Sequence, residues 1–258
     1  MNNLKRKLEY HYNKFDASQI YPDPLIFPHR FTKESDIEIS AFISSIFAYG
    51  NVTQIINSLE RVHTLFGESP TEYFTNFNPK DHKAFLKEFK HRFYTGEDVK
   101  HLFKIIKYLI EEYESIKHLF LLYHFDHEKN IKNSLASFSQ NLIDISERLG
   151  RGTRGIKFMF PNPQSGSACK RMNLFLRWMV RKDELDFGIW KAVRKDQLVI
   201  PVDTHIARIS RELSLTTRKN VSWQMAEEIT EKLKKFDSKD PIKYDFAICH
   251  IGIRKLEF

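Results

Sequence analysis

The sequence predicts an all-α fold, and three observations lead to this prediction. Apolar residues recur at spacings of three and four through almost every segment, as they do along one face of a helix. Helix start and stop signals flank these segments, with capping residues and proline at the front and glycine at the end. We find no segment with the clear alternation of apolar and polar residues that is typical of a strand, and no repeats or low-complexity tracts. The 258 residues suffice for one large or two small domains.

Helical spacing and capping signals define the elements of the first 150 residues. A first helix over residues 4–15 leads into a proline-rich connector over 21–31, where proline disfavours helix. An apolar helix over 36–49 ends at Gly50, and an amphipathic helix covers 52–66. Further helices are predicted to start at Ser69 and Thr95 and to cover 131–149.

A glycine turn at Gly166 organises the second half of the chain. A basic glycine loop at 151–155 and a proline-rich approach at 160–163 precede the turn. The helix after it is predicted to bury four apolar side chains at helical spacing and to leave Lys170, Asn173 and Arg177 on another side.

The segments after this helix contain one insertion and three more helices. Residues 183–195 look like an insertion with one short helix around Trp190. Asp203 and Ser222 are each predicted to cap a helix, and Asp240 with the following proline opens the last one.

The positive charge of the chain is concentrated in one stretch. The formal net charge is +8, and residues 151–195 hold eleven Lys and Arg against three Asp and Glu, which is also +8. Such a surface attracts polyanions, either nucleic acid or an anionic membrane. A solvated basic face with no partner explains the same composition.

Composition excludes several classes of protein. Cys169 and Cys249 are the only cysteines, which argues against a disulfide framework and against a four-cysteine iron–sulfur or zinc site. No His, Asp or Glu spacing suggests a metal site. No apolar run is long enough to span a bilayer, and no signal peptide is recognised, so we expect a cytoplasmic protein with no membrane partner.

Two short motifs carry the chemistry that the sequence suggests. A glycine turn that opens a helix exposes backbone N–H groups to a phosphate, and Lys170 lies early in that helix. Asp203 stands at the start of the next strong helix. Taken alone, Lys170 is explained as a surface or phosphate-contacting lysine and Asp203 as a helix cap. A lysine nucleophile paired with a carboxylate is also a known way to cleave a bond to a nucleobase.

The two motifs together resemble the helix-hairpin-helix DNA glycosylase superfamily, which includes endonuclease III and the 8-oxoguanine glycosylases. Those hairpins read Gly-x-Gly-x-Lys with Asn or Asp three residues later, and residues 166–173 are similar except that Ala168 replaces the second glycine. Residues 202–205 resemble the Val-Asp-Thr-His segment with the family's essential aspartate. Lys170 and Asp203 are 33 residues apart, farther than in endonuclease III. Nearly the whole chain resembles an uncharacterised bacterial group that shares these motifs.

The resemblance implies a reaction. Lys170 would form a Schiff base with C1′ of a damaged nucleotide, with oxidised bases among the candidates, and Asp203 would help to expel the base. Arg171 is a neighbouring cation that would favour the neutral amine of Lys170. The expected activity is DNA glycosylase with AP lyase activity. A monofunctional glycosylase and a non-enzymatic DNA-binding protein remain alternatives.

The resemblance also implies which residues contact DNA. The hairpin would grip phosphates through Gly166, Ser167 and Ala168. Arg151, Arg154 and Arg171 would add basic contacts. Tyr49 and Asn51 lie where the family fills the gap left by a flipped base, although a plain helix end at Gly50 explains them equally. Trp190 is the candidate for stacking on the flipped base, whereas Trp178 lies between core positions.

The architecture implied by the resemblance has two helical lobes. Residues 31–197 would form a bundle containing the hairpin, and residues 198–258 would pack with 1–30 as the second lobe. A lesion would enter the cleft between the lobes, with Lys170 and Asp203 on opposite sides. The partner would be double-stranded DNA with a damaged base at the bacterial nucleoid, with no obligate protein partner. No iron–sulfur cluster is expected, but the hairpin carbonyls could hold a monovalent cation.

Overall fold

The computed structural model describes residues 2–14, 16–150 and 152–254, and this part of the chain is mostly helical. The prediction of an all-α fold is confirmed at that level. The helices are α1 (Asn2–Tyr12), α2 (Glu34–Phe47), α3 (Val52–His63), α4 (Pro70–Thr75), α5 (Lys83–Glu88), α6 (Gly96–Tyr113), α7 (Ile116–Leu121), α8 (Lys132–Arg148), α9 (Arg154–Met159), α10 (Lys170–Val180), α11 (Thr204–Glu212), α12 (Trp223–Lys234) and α13 (Asp245–Arg254). Short 3₁₀ helices cover Ala17–Gln19, Pro24–Ile26, Pro28–Arg30, Pro163–Ser165 and Lys195–Gln197.

One small sheet interrupts the helices of the described residues. Strand β1 (Lys90–His91) pairs antiparallel with β2 (Tyr94–Thr95), with Lys90 opposite Thr95 and His91 opposite Tyr94. Two-residue strands are too short to show the alternation by which a strand is recognised, so the sequence did not predict this hairpin. Among the described residues, no helix has both the length and the hydropathy needed to cross a bilayer.

The chain divides into two compact units. The central unit contains Tyr21–His124 and Ser134–Pro161, and the terminal unit contains Met1–Ile20, Phe125–Asn133 and Asn162–Phe258. The turn at Gly166 therefore belongs with the C-terminal helices, whereas the resemblance implied that it lies in a bundle over 31–197. Long-range contacts within the terminal unit explain the difference, because the backbone N–H of Trp223 donates to the carbonyl of Gly166 at 3.0 Å.

Local capping signals explain where several helices begin. Thr95 and Asp98 form a reciprocal capping box at the start of α6, in which each side chain accepts a bond from the other's backbone N–H. Ser69 caps α4 and Ser222 caps α12 by accepting from N–H groups three residues later. These predicted starts are confirmed. The last helix, however, begins at Asp245 and not at Asp240, because residues 241–244 form turns.

Helix α2 is the centre of the core of the central unit. Twelve of its fourteen residues are buried, including Phe42 and Phe47 with no exposed surface. Full burial of one such side chain contributes about 1.5–3 kcal/mol. Its buried carboxylates cap neighbouring helices: Asp36 accepts from the N–H of Thr71 at 2.7 Å, and Glu38 accepts from the N–H of Ile116 at 2.9 Å. These bonds fix α2 against the starts of α4 and α7.

Tryptophans and buried ion pairs define the core of the terminal unit. Trp178, Trp190 and Trp223 have no exposed surface. Arg177 on α10 and Arg181 at the C-cap of α10 project into the same interior, where the side chain of each is 3% exposed and bonded to aspartates. This packing holds α10, which carries Lys170 at its first position, in a defined orientation.

Candidate functional site

The turn before α10 has the backbone that its sequence predicts. The 3₁₀ helix Pro163–Ser165 ends at Gly166, whose φ of +88° lies in the left-handed region that glycine adopts without strain. The other positive φ in the turn, +48°, falls on Cys169. Ala168, at the position of the family's second glycine, does not need a positive φ, and its small side chain is 7% exposed. The structure therefore accommodates alanine there.

Asn173 closes the turn from inside. Its side-chain Nδ2 donates to the carbonyl of Ala168 at 3.0 Å, and its backbone N–H donates to the carbonyl of Cys169 at 2.9 Å. The residue is 1% exposed. The prediction that Asn173 and Arg177 lie on a separate side of the helix from the core is wrong, because α10 is buried on every side beyond its first residue.

The carbonyl groups of the turn serve the protein's own hydrogen bonds. The carbonyl of Gly166 accepts a hydrogen bond from the backbone N–H of Trp223. The carbonyl of Ser167 accepts from the thiol of Cys169 at 3.4 Å, and the carbonyl of Ala168 accepts from the side chain of Asn173. Each of these carbonyls therefore accepts one hydrogen bond that helps to close the turn. Within the described residues, His, Cys, Asp and Glu do not gather in groups of three that could hold a metal ion.

Asp203 is the N-cap of α11, as predicted. Its Oδ1 atom accepts from the N–H of His205 and from the N–H of Ile206, both at 2.9 Å. Its other oxygen, Oδ2, lies 3.2 Å from Nζ of Lys170. The two oxygens thus have separate partners: one holds the helix and the other faces the lysine.

Lys170 and Asp203 meet within a single unit. Both belong to the terminal unit, and their side chains keep 32% and 25% of their surface exposed. The prediction that they face each other from opposite lobes across a cleft is therefore wrong. The pair lies where two helices begin, with solvent access to both charged groups.

The carboxyl of Asp203 is held in its charged form. Burial raises its pKa, but the charge of Lys170 and the N–H of Ile206 outweigh this effect, so the pKa lies below the ordinary value of 3.8. At neutral pH, Asp203 is a carboxylate beside a lysine. Such a pair can stabilise positive charge that develops next to it.

The neighbours of Lys170 in sequence are buried. Cys169 is 2% exposed, and burial raises the pKa of its thiol to about 12, so the reactive thiolate is disfavoured. Arg171 is 7% exposed. The structure thus brings Lys170, Asp203 and the turn together, and the Arg171 side chain that follows Lys170 is buried.

Trp190 does not form a base pocket. It has no exposed surface, its ring meets Phe175 edge-to-face at 5.2 Å, and its backbone N–H donates to Met179 at 2.8 Å. The predicted short helix around it is also absent, since residues 183–194 form no helix. The backbone N–H of Phe187 donates to the carbonyl of Trp178 at 2.9 Å, which holds the segment against α10. Both predictions are wrong because the segment is part of the core. Trp178 is buried, as expected.

Sequence reasoning missed a buried cluster of ion pairs on α10. Arg177 binds Asp245 at 2.5 Å and Asp186 at 3.1 Å. Arg181 binds Asp186, and it also binds Asp183 and Asp240 at 2.8 Å. Two arginines four residues apart share one helix face, which was the available signal.

The local charge of +8 is not one basic surface. Arg177 and Arg181 are buried and neutralised in the terminal unit. Arg154 is exposed, but it lies on α9 in the central unit. Arg151 lies outside the described residues. Excess positive charge within a stretch of sequence therefore overstates the charge of the surface around Lys170.

Tyr49 and Asn51 lie at the junction of α2 and α3 in the central unit. Asn51 caps α3, where its Oδ1 accepts from the N–H of Thr53 at 3.0 Å. Tyr49 is half-buried. Gly50 between them has a φ of +103°, which glycine adopts easily after the end of a helix. An ordinary helix end followed by the start of the next helix therefore explains Gly50 and Asn51.

The fold and the site define a mostly helical protein of two units, with a lysine–carboxylate pair at two helix starts. The chain belongs to the family described as "Protein of unknown function (DUF2400)", which it matches over residues 23–254. No curated protein matches the chain significantly. The solved structures also contain no significant match.

Proposed function

We propose that this protein is a DNA glycosylase with AP lyase activity, and that Lys170 and Asp203 are its catalytic residues. One observation carries the proposal: Nζ of Lys170 lies 3.2 Å from Oδ2 of Asp203, although the residues come from separate segments. The resemblance of both segments to the glycosylase superfamily supports it. The partly exposed pair also leaves room for a substrate to approach.

The proposed reaction begins with loss of a proton from Lys170. The proton passes to solvent, to which the side chain of Lys170 is 32% exposed, and Asp203 stays ionised. The neutral amine attacks C1′ of the damaged nucleotide while the bond from C1′ to the base breaks, and the base leaves with that electron pair and takes up a proton. The resulting secondary ammonium loses one proton; its nitrogen lone pair then forms the protonated Schiff base while the bond from C1′ to O4′ breaks and O4′ takes up a proton.

Asp203 has a second role in this proposal. Positive charge develops on the sugar as the base departs, and a carboxylate with a lowered pKa stabilises that charge at neutral pH. Removal of a proton from C2′ of the Schiff base then breaks the bond from C3′ to its phosphate, which nicks the strand. Hydrolysis frees Lys170 for another cycle.

The hairpin would hold the DNA in this proposal. A phosphate would bind the backbone N–H groups of Ser167 and Ala168 in the turn before α10, since the N–H groups of Gly166 and Cys169 already donate to Pro163 and Ser167. The same geometry supports a second candidate, a DNA-binding protein without activity, because an ion pair between Lys170 and Asp203 can simply join two helix starts.

A panel of duplexes with one lesion each tests the proposal. The lesions are oxidised purines, oxidised pyrimidines, uracil and an abasic site, and both base release and strand nicking are measured. We expect release and nicking on one lesion class, with loss of nicking in Lys170→Gln. Base release without nicking would favour a monofunctional glycosylase, and binding without either reaction would favour the second candidate.

A further inference from the structure

The tip of the small β-hairpin in the central unit exposes an aromatic ring. Arg92 and Phe93 connect β1 to β2, and the side chain of Phe93 is 68% exposed. Arg92 has a φ of +51°, which is uncommon for a residue with a side chain. A single exposed phenylalanine is ordinary on a protein surface, so the rings and charges around Phe93 decide whether it marks a binding surface.

Tyr49 holds this turn in place. Its hydroxyl donates to the carbonyl of His91 at 3.1 Å and accepts from the backbone N–H of Phe93 at 3.3 Å. Both bonds have ordinary lengths. The hydroxyl therefore bridges the two sides of the turn, and the exposure of Phe93 results from a hydrogen-bonded conformation.

Aromatic rings and a guanidinium surround Phe93. The Phe93 ring lies nearly parallel to Tyr49 at 6.5 Å and edge-to-face with Phe158 at 5.9 Å. Phe158, on α9, is itself 42% exposed. The guanidinium of Arg92 lies 5.5 Å from the Tyr49 ring and 5.7 Å from the Phe93 ring. We call these four residues the Phe93 surface.

The charge around the Phe93 surface is positive. The segments that build it, residues 49–54, 87–94 and 152–160, contain five basic residues and one acidic residue, Glu88. All five basic side chains are exposed: Lys87, Lys90, Arg92, Arg154 and Lys157. Nζ of Lys157 lies 3.9 Å from a carboxylate oxygen of Glu147, and both side chains of this ion pair are exposed. The balance favours an anionic partner.

We propose that the Phe93 surface binds DNA by stacking Phe93 on a nucleobase that is exposed at a gap in the base stack. Aromatic rings interleaved with arginine and lysine match this partner, because every base has a flat face and a phosphate beside it. Phe93 supplies the stacking ring, Arg92 lies beside it for the phosphate, and Tyr49 positions the turn. This inference rests on the proposed DNA binding but not on the chemistry at Lys170.

A tryptophan in place of Phe93 reports stacking directly. The native tryptophans are 0% exposed, so Phe93→Trp adds an exposed fluorophore at the tip. Phe125→Trp is the matched control, because Phe125 is 51% exposed and belongs to the terminal unit. The probes are a duplex with a single abasic site and vesicles of anionic lipid. We expect saturable quenching of Phe93→Trp by the duplex and none of Phe125→Trp.

Affinity measurements complete the test. Phe93→Ala should weaken binding of the abasic duplex about tenfold, while Phe125→Ala leaves it unchanged. The same results are expected when Lys170→Gln is added, which separates this inference from the enzymatic proposal. Absence of quenching, quenching by vesicles alone, or unchanged affinity in Phe93→Ala would each overturn the inference, even if base release occurs.

Discussion

The carboxylate of Asp203 divides its two oxygens between two partners. Oδ1 caps α11 by accepting from the N–H groups of His205 and Ile206, whereas Oδ2 lies 3.2 Å from Nζ of Lys170. The structural role and the proposed chemical role therefore fall on different atoms of one side chain. This division allows the two roles to be separated by substitution.

Asp203→Asn should separate them. Asparagine keeps an oxygen for the cap, so α11 should stay capped and the protein folded, but the negative charge facing Lys170 and the stability that it contributes are lost. We expect base release to slow by about a hundredfold or more. Asp203→Ala is the comparison variant, since it also loses the cap and about 1 kcal/mol of stability. Wild-type turnover in Asp203→Asn would make Asp203 a cap only.

The pH dependence of stability tests the charge of Asp203. Its pKa is lowered in the folded protein, so the ionised carboxylate contributes stability above its ordinary pKa of 3.8 and loses it as pH falls through the folded value. Urea unfolding of wild type and Asp203→Asn should differ by a constant amount from neutral pH down to about that pKa. Below it, the difference should shrink. A difference that already shrinks under mildly acidic conditions would contradict the lowered pKa.

The buried ion pairs of α10 should matter for folding. Arg177→Ala leaves Asp186 and Asp245 buried without this partner, so unfolding should become easier by about 3–5 kcal/mol. Arg194→Ala removes an exposed pair with Asp196 and should cost about 1 kcal/mol or less. Chemical denaturation measures the free energy of unfolding of both variants. Equal decreases for Arg177→Ala and Arg194→Ala would mean that burial of the ion pair does not determine how much stability it contributes.

Trp190 should affect stability and not lesion choice. Its ring is buried against Phe175, so Trp190→Ala should cost about 3–5 kcal/mol. Trp190→Phe retains a ring and should keep most of that stability. The ratio of base release between two lesions, measured for Trp190→Phe, should match the wild type. If Trp190→Phe changed the ratio of base release without changing the free energy of unfolding, Trp190 would contact the damaged base after all.

Exposed basic residues on α9 should contribute to the salt dependence of DNA binding. Neutralising Arg154 and Lys157 together should reduce the slope of log affinity against log salt by about one for each phosphate that the variant no longer neutralises. Lys5 and Arg6, exposed on α1, form the control pair. Binding titrations over a range of salt measure the slope. An unchanged slope in the α9 variant would remove this helix from the DNA interface.

Local signals in the sequence predicted the helix starts and the Asp203 cap. Thr95, Ser69, Ser222 and Asp203 act through N–H groups two or three residues away, so the pattern is readable without the tertiary fold. The short distance between Lys170 and Asp203 could not be predicted from such local signals, because the two residues are 33 positions apart in the sequence. Only the resemblance brought the two segments together, and it placed them across a cleft rather than in contact.

The wrong predictions share one physical cause. Arg177 and Trp190 are a charged and an aromatic residue in segments that looked exposed, and both are buried by partners distant in sequence or by a fold-back of the chain. Phe93 was missed for the opposite reason, since its hairpin has strands of two residues and depends on Tyr49 more than forty positions earlier. Tertiary contacts of this kind have no periodicity to detect.

Trapping with borohydride tests the central claim most directly. A Schiff base between Lys170 and C1′ is reducible, so borohydride added during reaction with a lesion or abasic duplex should leave the protein covalently joined to the strand. Peptide mapping should locate the adduct at Lys170. Lys170→Gln should abolish it while leaving DNA binding largely intact. An adduct at another lysine, or no adduct on any lesion of the panel, would contradict the assignment of Lys170 as the nucleophile.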